Sequence, residues 1–396
     1  MAERYFTISE YEERWIRVLA KMEQLGYDTA VVWGRSGGGY ERCGDVLYLS
    51  NYYSQASGQG WDNALFNARS FSAVIMQQGQ TPELQADEAW PRKDIVSTDR
   101  IEWHHDPILG VAEALKRRGI KGKVAFVGSQ VLPLKYWLQL EAYTPEITWE
   151  FVDELVLEVR RVKSPQELKC IREAGEVMTS GLDRLIEGLI AGEAEATAAA
   201  AAAEKIISAG GTIHMIPCSH GDNIQYWCTN QLSGYSLEIP KPGELVRGWI
   251  YGPMREGYWL DPGRTAVCGG KPSEAQKALI ESNVQIIEQL IDAIRPGVKV
   301  IDVARLGERL IQQTGGEKDQ AAEKWPHFGH FMGLFFELPY IGTQMCNEED
   351  VFSASTVVGV EAFVTQTEVG SSGIEQNFIV HEDYNEILTR TPLIWW

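Results

Sequence analysis

Ile8, Tyr11, Trp15, Val18, Leu19, Met22 and Leu25 recur at helical spacing and predict an acidic amphipathic helix over residues 8–26. Gly26 supplies the stop. The run Thr29-Ala30-Val31-Val32-Trp33 is almost wholly apolar and reads as a buried strand. Residues 45–49, 71–76 and 123–127 read as further strands, with helix over 110–118 between them. Strands alternating with helices predict an α/β layer domain.

The pattern changes near residue 160. Ser164-Pro165-Gln166-Glu167 joins a capping box to a proline at the first helical position. Leu168, Ile171, Val177, Met178, Leu182, Leu185, Ile186 and Leu189 carry the helix on. An alanine-rich helix over 195–208 ends at Gly210-Gly211, and alanine is the best helix former. A third helix starts at the cap Ser273, with Gln276 completing the box, and stops at Pro296-Gly297. A fourth runs over 302–313. Strand-like segments lie at 243–249, 257–267, 357–365 and 374–380. The expectation is an α/β N-terminal domain over 1–160 and an α+β C-terminal domain with an antiparallel sheet over 161–396.

A length of 396 residues suits two domains. With 36 Lys and Arg against 55 Asp and Glu, the net charge is −19, which argues against nucleic acid and anionic lipid as partners. No run approaches the ~18 apolar residues of a membrane helix. The opening Met1-Ala2-Glu3-Arg4-Tyr5 lacks a signal peptide's apolar stretch. The six cysteines are scattered without a CxxC pair, which points to the cytoplasm and away from a disulfide framework. The glycine-rich loop at 34–39 lacks the Lys-Ser/Thr of a P-loop and the GxGxxG spacing, so it reads as a surface loop.

Four positions in the second half stand out. Asp261 lies in Gly257-Tyr258-Trp259-Leu260-Asp261-Pro262-Gly263-Arg264-Thr265, and His330 in Gly329-His330-Phe331-Met332-Gly333-Leu334. Glu361 interrupts one apolar run and Glu375 opens another. A carboxylate inside such a run is expensive to bury unless it is paired or holds a metal. The residues alone leave two readings open: a metal site, or solvated and salt-bridged carboxylates beside a core histidine.

These motifs, in this order, resemble the creatinase, aminopeptidase P and prolidase family with its pita-bread fold. The likeness spans nearly the whole chain: the opening helix with "GYDTAVVW" and "DVLYLSNY", the junction Arg161-Val162-Lys163-Ser164-Pro165-Gln166-Glu167, Arg295-Pro296-Gly297 before Asp302-Val303, and the final strand pair around Glu375. Dinuclear peptidases of that family hold two ions with two Asp, one His and two Glu. The resemblance carries four of these over, to Asp261, His330, Glu361 and Glu375. The first Asp is absent; its place, about eleven residues before Asp261, falls at Ile250, between Trp249 and Tyr251. The histidine of the family's "HE" is Phe336, before Glu337. The substrate-facing histidine is also absent, where Tyr226 and Trp227 stand.

The resemblance therefore implies one divalent ion, Mn²⁺, Fe²⁺ or Zn²⁺, a choice the hard donor set does not make; a creatinase-like member would hold none. Glu361 and Glu337 are the expected acid/base groups. Tyr226, Trp227, Trp249, Tyr251 and Trp259 are expected to line a pocket for a small molecule or a cation, or else to pack between sheet and helices. The leading expectation is a metal-dependent hydrolase of a small nitrogen-containing molecule, creatinase-like or ectoine-hydrolase-like in its C–N cleavage. Alternatives are a lyase resembling dimethylsulfoniopropionate lyase, an Xaa-Pro dipeptidase or aminopeptidase, and an inactive binding protein. Family members of this length pair, so a homodimer is expected, with the 34–39 loop and Trp61 as contributors.

Overall fold

The structure is a computed structural model that describes residues 4–35, 44–53, 62–63, 65–314 and 326–396. Residues 36–39 of the glycine-rich loop and Trp61 lie outside the described residues. The chain divides into two compact units, Met1–Arg160 and Arg161–Trp396.

In the first unit, Thr7 caps α1 (Ile8–Gln24) by accepting from the Glu10 N–H, and Gly26 beyond its end adopts a φ of 77°. The chain continues through β1 (Thr29–Arg35), α2 (Gly44–Ser50), β2 (Phe71–Gln77), β3 (Glu83–Ala86) and β4 (Ile101–Trp103). It closes with α3 (Pro107–Arg117), β5 (Gly122–Val127), α4 (Leu134–Tyr143), β6 (Ile147–Phe151) and α5 (Glu154–Arg161). The sheet order is β4-β3-β2-β1-β5-β6, with β1 antiparallel to β2 and parallel to β5. Residues 45–49, expected as strand, are helical. A short apolar run does not separate strand from buried helix by pattern. Here Arg14 and Trp15 of α1 donate to the Tyr48 and Leu49 carbonyls, which satisfies the end of α2 from outside it.

The second unit opens with α6 (Pro165–Ile190), whose capping box between Ser164 and Glu167 forms as expected, and α7 (Glu195–Ser208). The strands are β7 (Cys218–His220), β8 (Leu245–Trp249), β9 (Gly252–Arg255), β10 (Tyr258–Leu260) and β11 (Gly263–Val267). Then come α8 (Glu274–Ala293), α9 (Val300–Gln313), β12 (Gly329–Met332), β13 (Phe336–Tyr340), β14 (Thr356–Gln366), β15 (Gly370–Val380) and β16 (Asn385–Ile387). Residues 257–267, expected as one strand, form two in different sheets. β10 pairs with β9, while β11 joins the large antiparallel sheet β13-β12-β14-β15-β11-β8-β7. Asp261 and Pro262 turn the chain between them, and proline has no N–H for a ladder.

The alternation of β14 and β15 sorts their two faces. Val358, Val360, Ala362, Val364, Ile374, Phe378 and Val380 point into a core shared with Ile280, Val284, Ile287 and Ile291 of α8. Asn283 of α8 donates to the carbonyls of Ala362 and Ser372, fastening the helix to the sheet. Gly359, Glu361, Glu375 and Asn377 occupy the other face. Among the described residues, no helix is long and apolar enough to cross a membrane.

Candidate metal centre

Strand register assembles the site. Glu361 of β14 faces Glu375 of β15, which neighbours Gly263 of β11, which neighbours Trp249 of β8. Two residues along, His330 of β12 faces Gly359, which faces Asn377. Asp261 enters just before β11, and Asn377 grips it twice. The Asp261 N–H donates to Asn377 Oδ1 at 3.0 Å, and Asn377 Nδ2 donates to Asp261 Oδ1 at 2.8 Å. His330 Nε2 lies 3.1 Å from Asp261 Oδ2.

Asp261, His330 and Glu375 are all buried, and each offers a ligand atom within 4.8 Å of the others. Glu375 Oε2 accepts from the Trp249 indole at 2.8 Å, while Oε1 receives no hydrogen bond. A Cβ at Gly359 would stand 2.6 Å from that Oε1 and 3.4 Å from Asp261 Oδ1, so the space beside both oxygens exists only because residue 359 is glycine. A buried oxygen without a donor, an open cradle and two carboxylates with an imidazole fit a hard divalent cation.

The electrostatics agree. Burial, then the charges of Asp261 and Glu361, raise the Glu375 carboxyl well above the usual range. Burial also opposes ionisation of Asp261, but His330, then hydrogen bonding from the Glu375 carboxyl and Asn377, outweigh it and hold the group low. Burial disfavours the His330 imidazolium, yet Asp261 and Glu361 raise it overall. Tyr340, whose ring lies 5.2 Å from His330, is pushed up to about 12 by burial and by the three carboxylates.

Glu361 sits beside this three-residue cluster, with Oε1 3.2 Å from His327 Nδ1. Burial and His330 hold His327 down to about 3, so its imidazole is neutral. Glu337, the other expected acid/base group, is placed elsewhere. Its carboxylate accepts from Lys163 at 2.7 Å in a pair with 1% of either side chain exposed. It neighbours Phe331, which points into the helix-side core. The adjacent Phe336 is the β13 residue that meets the site, its ring 4.7 Å from His330. Ile250, the place of the absent Asp, carries an apolar side chain that lies away from Glu375. Ile250 packs toward Gly181 of α6, and strand alternation turns Trp249 to Glu375 instead.

The aromatics form two groups. Trp249 stacks on Phe363 at 5.5 Å and meets Trp227 at 5.1 Å, beside Glu375. Trp259 meets Phe335, Phe336, Tyr251 and His214, beside His330. Tyr226 is exposed, and its backbone carbonyl rather than its ring accepts from Arg247. Sequence reading missed Asn377, His327 and Tyr340. Asn377 had a signal, as one of two adjacent amides, with Gln376, that follow Glu375 in the run 374–380.

Residues 169–382 match the family described as metallopeptidase family M24. The chain is 22% identical over 296 residues to an Xaa-Pro dipeptidase of Pyrococcus horikoshii, covering 72% of this chain and 76% of that protein. Among solved structures, an Xaa-Pro dipeptidase from Bacillus anthracis superposes with a TM-score of 0.77 at 19% identity, covering 96% of this chain and 98% of the other. Dipeptidase PepE from Mycobacterium ulcerans superposes with a TM-score of 0.74 at 22% identity, covering 98% of both chains. With its pita-bread sheet and the buried Asp261–His330–Glu375 cluster inside the matched stretch, the chain belongs to metallopeptidase family M24.

Proposed function

We propose that the chain is a metal-dependent hydrolase that cleaves an amide-type C–N bond in a small substrate, with one ion at Asp261, His330, Glu375 and Glu361. The observation that carries this reading is the buried three-residue cluster with the donorless Glu375 Oε1. An ion held by these residues would supply carbonyl polarisation and a water nucleophile near neutral pH. The chain's own residues do the rest. Asn377 fixes the Asp261 carboxylate, and the Phe331 carbonyl, 3.1 Å from His330 Nδ1, orients that ring with Nε2 toward the cluster. Glu361, beside the cluster, takes the proton from the attacking water and passes it to the leaving nitrogen. Trp227, Trp249 and Phe363, with Tyr251, Trp259 and Phe336, exclude water and seat the substrate's apolar part.

The relatives' names favour a dipeptide with proline as its second residue. Ile250 and Phe336, apolar where the resemblance implies a ligand Asp and a His, with Trp249 beside Glu375, favour a different small C–N substrate such as creatine or ectoine. The deciding experiment supplies Mn²⁺, Fe²⁺ or Zn²⁺ to purified protein and follows Xaa-Pro dipeptides, creatine, ectoine and a sulfonium compound by mass spectrometry. Release of proline assigns the dipeptidase reading, and C–N cleavage of another substrate assigns the second. Elimination from the sulfonium compound, or no turnover of any, overturns both. We also propose a homodimer, supported by exposed Leu232, Leu237 and Ile239 in the segment before β8. A light-scattering mass of one chain at working concentration overturns that.

A further inference from the structure

We propose that Trp249 is a positioning residue of the metal centre: its indole N–H holds Glu375 Oε2, leaves Oε1 as that carboxylate's donor, and limits the centre to one ion. The hydrogen bond is 2.8 Å long, between residues 1% and 2% exposed. An indole N–H only donates. Its positive end therefore occupies the approach to Oε2 and repels a cation there. Oε1, with no donor, is left beside Asp261 and His330, where the ligand atoms gather.

The surroundings keep the indole in place. It stacks on Phe363 at an interplanar angle of 12° and lies against Trp227. Beneath it are two glycines: a Cβ at Gly263 would come within 1.8 Å of the ring, and one at Gly373 within 2.9 Å. The neighbouring segment offers no replacement ligand, since residues 245–254 contain no carboxylate, histidine or cysteine. The ring thus fixes the Glu375 rotamer and closes the side of the site toward β8.

This inference rests on the metal centre proposed above and not on its substrate. The test strips the protein with chelator, titrates Mn²⁺ calorimetrically, counts ions per chain by mass spectrometry and records the visible d–d spectrum of the Co²⁺-loaded protein. Wild type should hold one ion per chain. Trp249→Phe keeps the ring and removes the N–H. It should bind Mn²⁺ about 10–100-fold more weakly, and its Co²⁺ spectrum should change as Oε2 becomes free to join the ion. Two ions per wild-type chain overturn the proposal whether or not the variant folds. Unchanged affinity and spectrum in a folded Trp249→Phe, checked by circular dichroism, also overturn it. One-ion binding with the expected variant effect but no C–N hydrolysis removes the proposed function and leaves this inference standing. Hydrolysis with unaltered Trp249→Phe binding does the reverse.

Discussion

Glu375 and Asp261 bring two carboxylates into one buried cluster, and like charges at that spacing do not both ionise unless a cation lies between them. A cation inverts this logic and lets both oxygens ligate. Glu361 Oε1 lies beside the cluster and 3.2 Å from His327 Nδ1, which suits a group that moves protons. Glu361→Gln keeps nearly the same volume, so the melting temperature should hold while kcat falls about 10²–10⁴-fold; normal turnover would exclude it as the acid/base. Glu337 belongs to a different kind of interaction. Replacing Lys163 by Met removes a buried cation 2.7 Å from the buried Glu337 carboxylate. The loss should be about 3–5 kcal/mol, read by denaturant melts, with metal binding of the remaining folded protein intact. A loss below 1 kcal/mol would show that the pair does not support the fold.

Elements place these residues by period. On β14 and β15 the odd positions carry Gly359, Glu361, Glu375 and Asn377, while Val358, Val360, Ala362, Ile374 and Phe378 at even positions join the core with α8. Such alternation is why a carboxylate inside an apolar run need not be a buried orphan. The same alternation on β8 sends Trp249 to the site and Ile250 to α6. Gly263 of β11 gives that indole its room. Gly263→Ala should force the ring away and destabilise by about 1–3 kcal/mol or more through overpacking. Calorimetric melting measures it, and wild-type stability would mean that the ring is not confined as described. The helix ends were legible because caps are local chemistry: Ser164 with Glu167 and Ser273 with Gln276 both form their boxes. α2 was not legible, because its carbonyls are satisfied by Arg14 and Trp15, far away in sequence.

On the scale of the whole molecule, the C-terminal stretch is tied back into the second unit by charge. Arg264, fully buried and lowered to about 9 by that burial, donates to the carbonyls of Thr391 and Pro392 and to Gln376 Oε1. Arg172 of α6 holds Glu386 of β16 bidentately at 2.7 and 2.8 Å. Arg172, against some burial and with help from His381, lowers Glu386 to about 2. A depressed carboxylate stabilises the fold above its unfolded pKa of about 4.3. That contribution is lost as pH falls from there through about 2. Because the pair is partly exposed, the term amounts to about 1 kcal/mol or less. Urea melts between pH 6 and pH 2.5 should show a shallower acid loss in Glu386→Gln than in wild type. An identical slope would remove the strut from the acid response.

By itself the sequence determined what local chemistry determines. Caps, proline, glycine and periodicity located α1, α6, α8 and the long strands. Asp261, His330 and Glu375 stood out as polar groups in apolar runs, the family resemblance singled them out as ligands, and the fold gathers them into one buried cluster. Tertiary structure decided what depends on contacts across the chain. It gave Glu337 to Lys163 and turned Trp249 rather than Ile250 toward Glu375. It also brought Asn377 onto Asp261 and set His327 beside Glu361. Each is a pairing between strands or segments distant in sequence. Register and the twofold alternation of the sheet select the partner, and a one-residue shift turns every side chain to the opposite face.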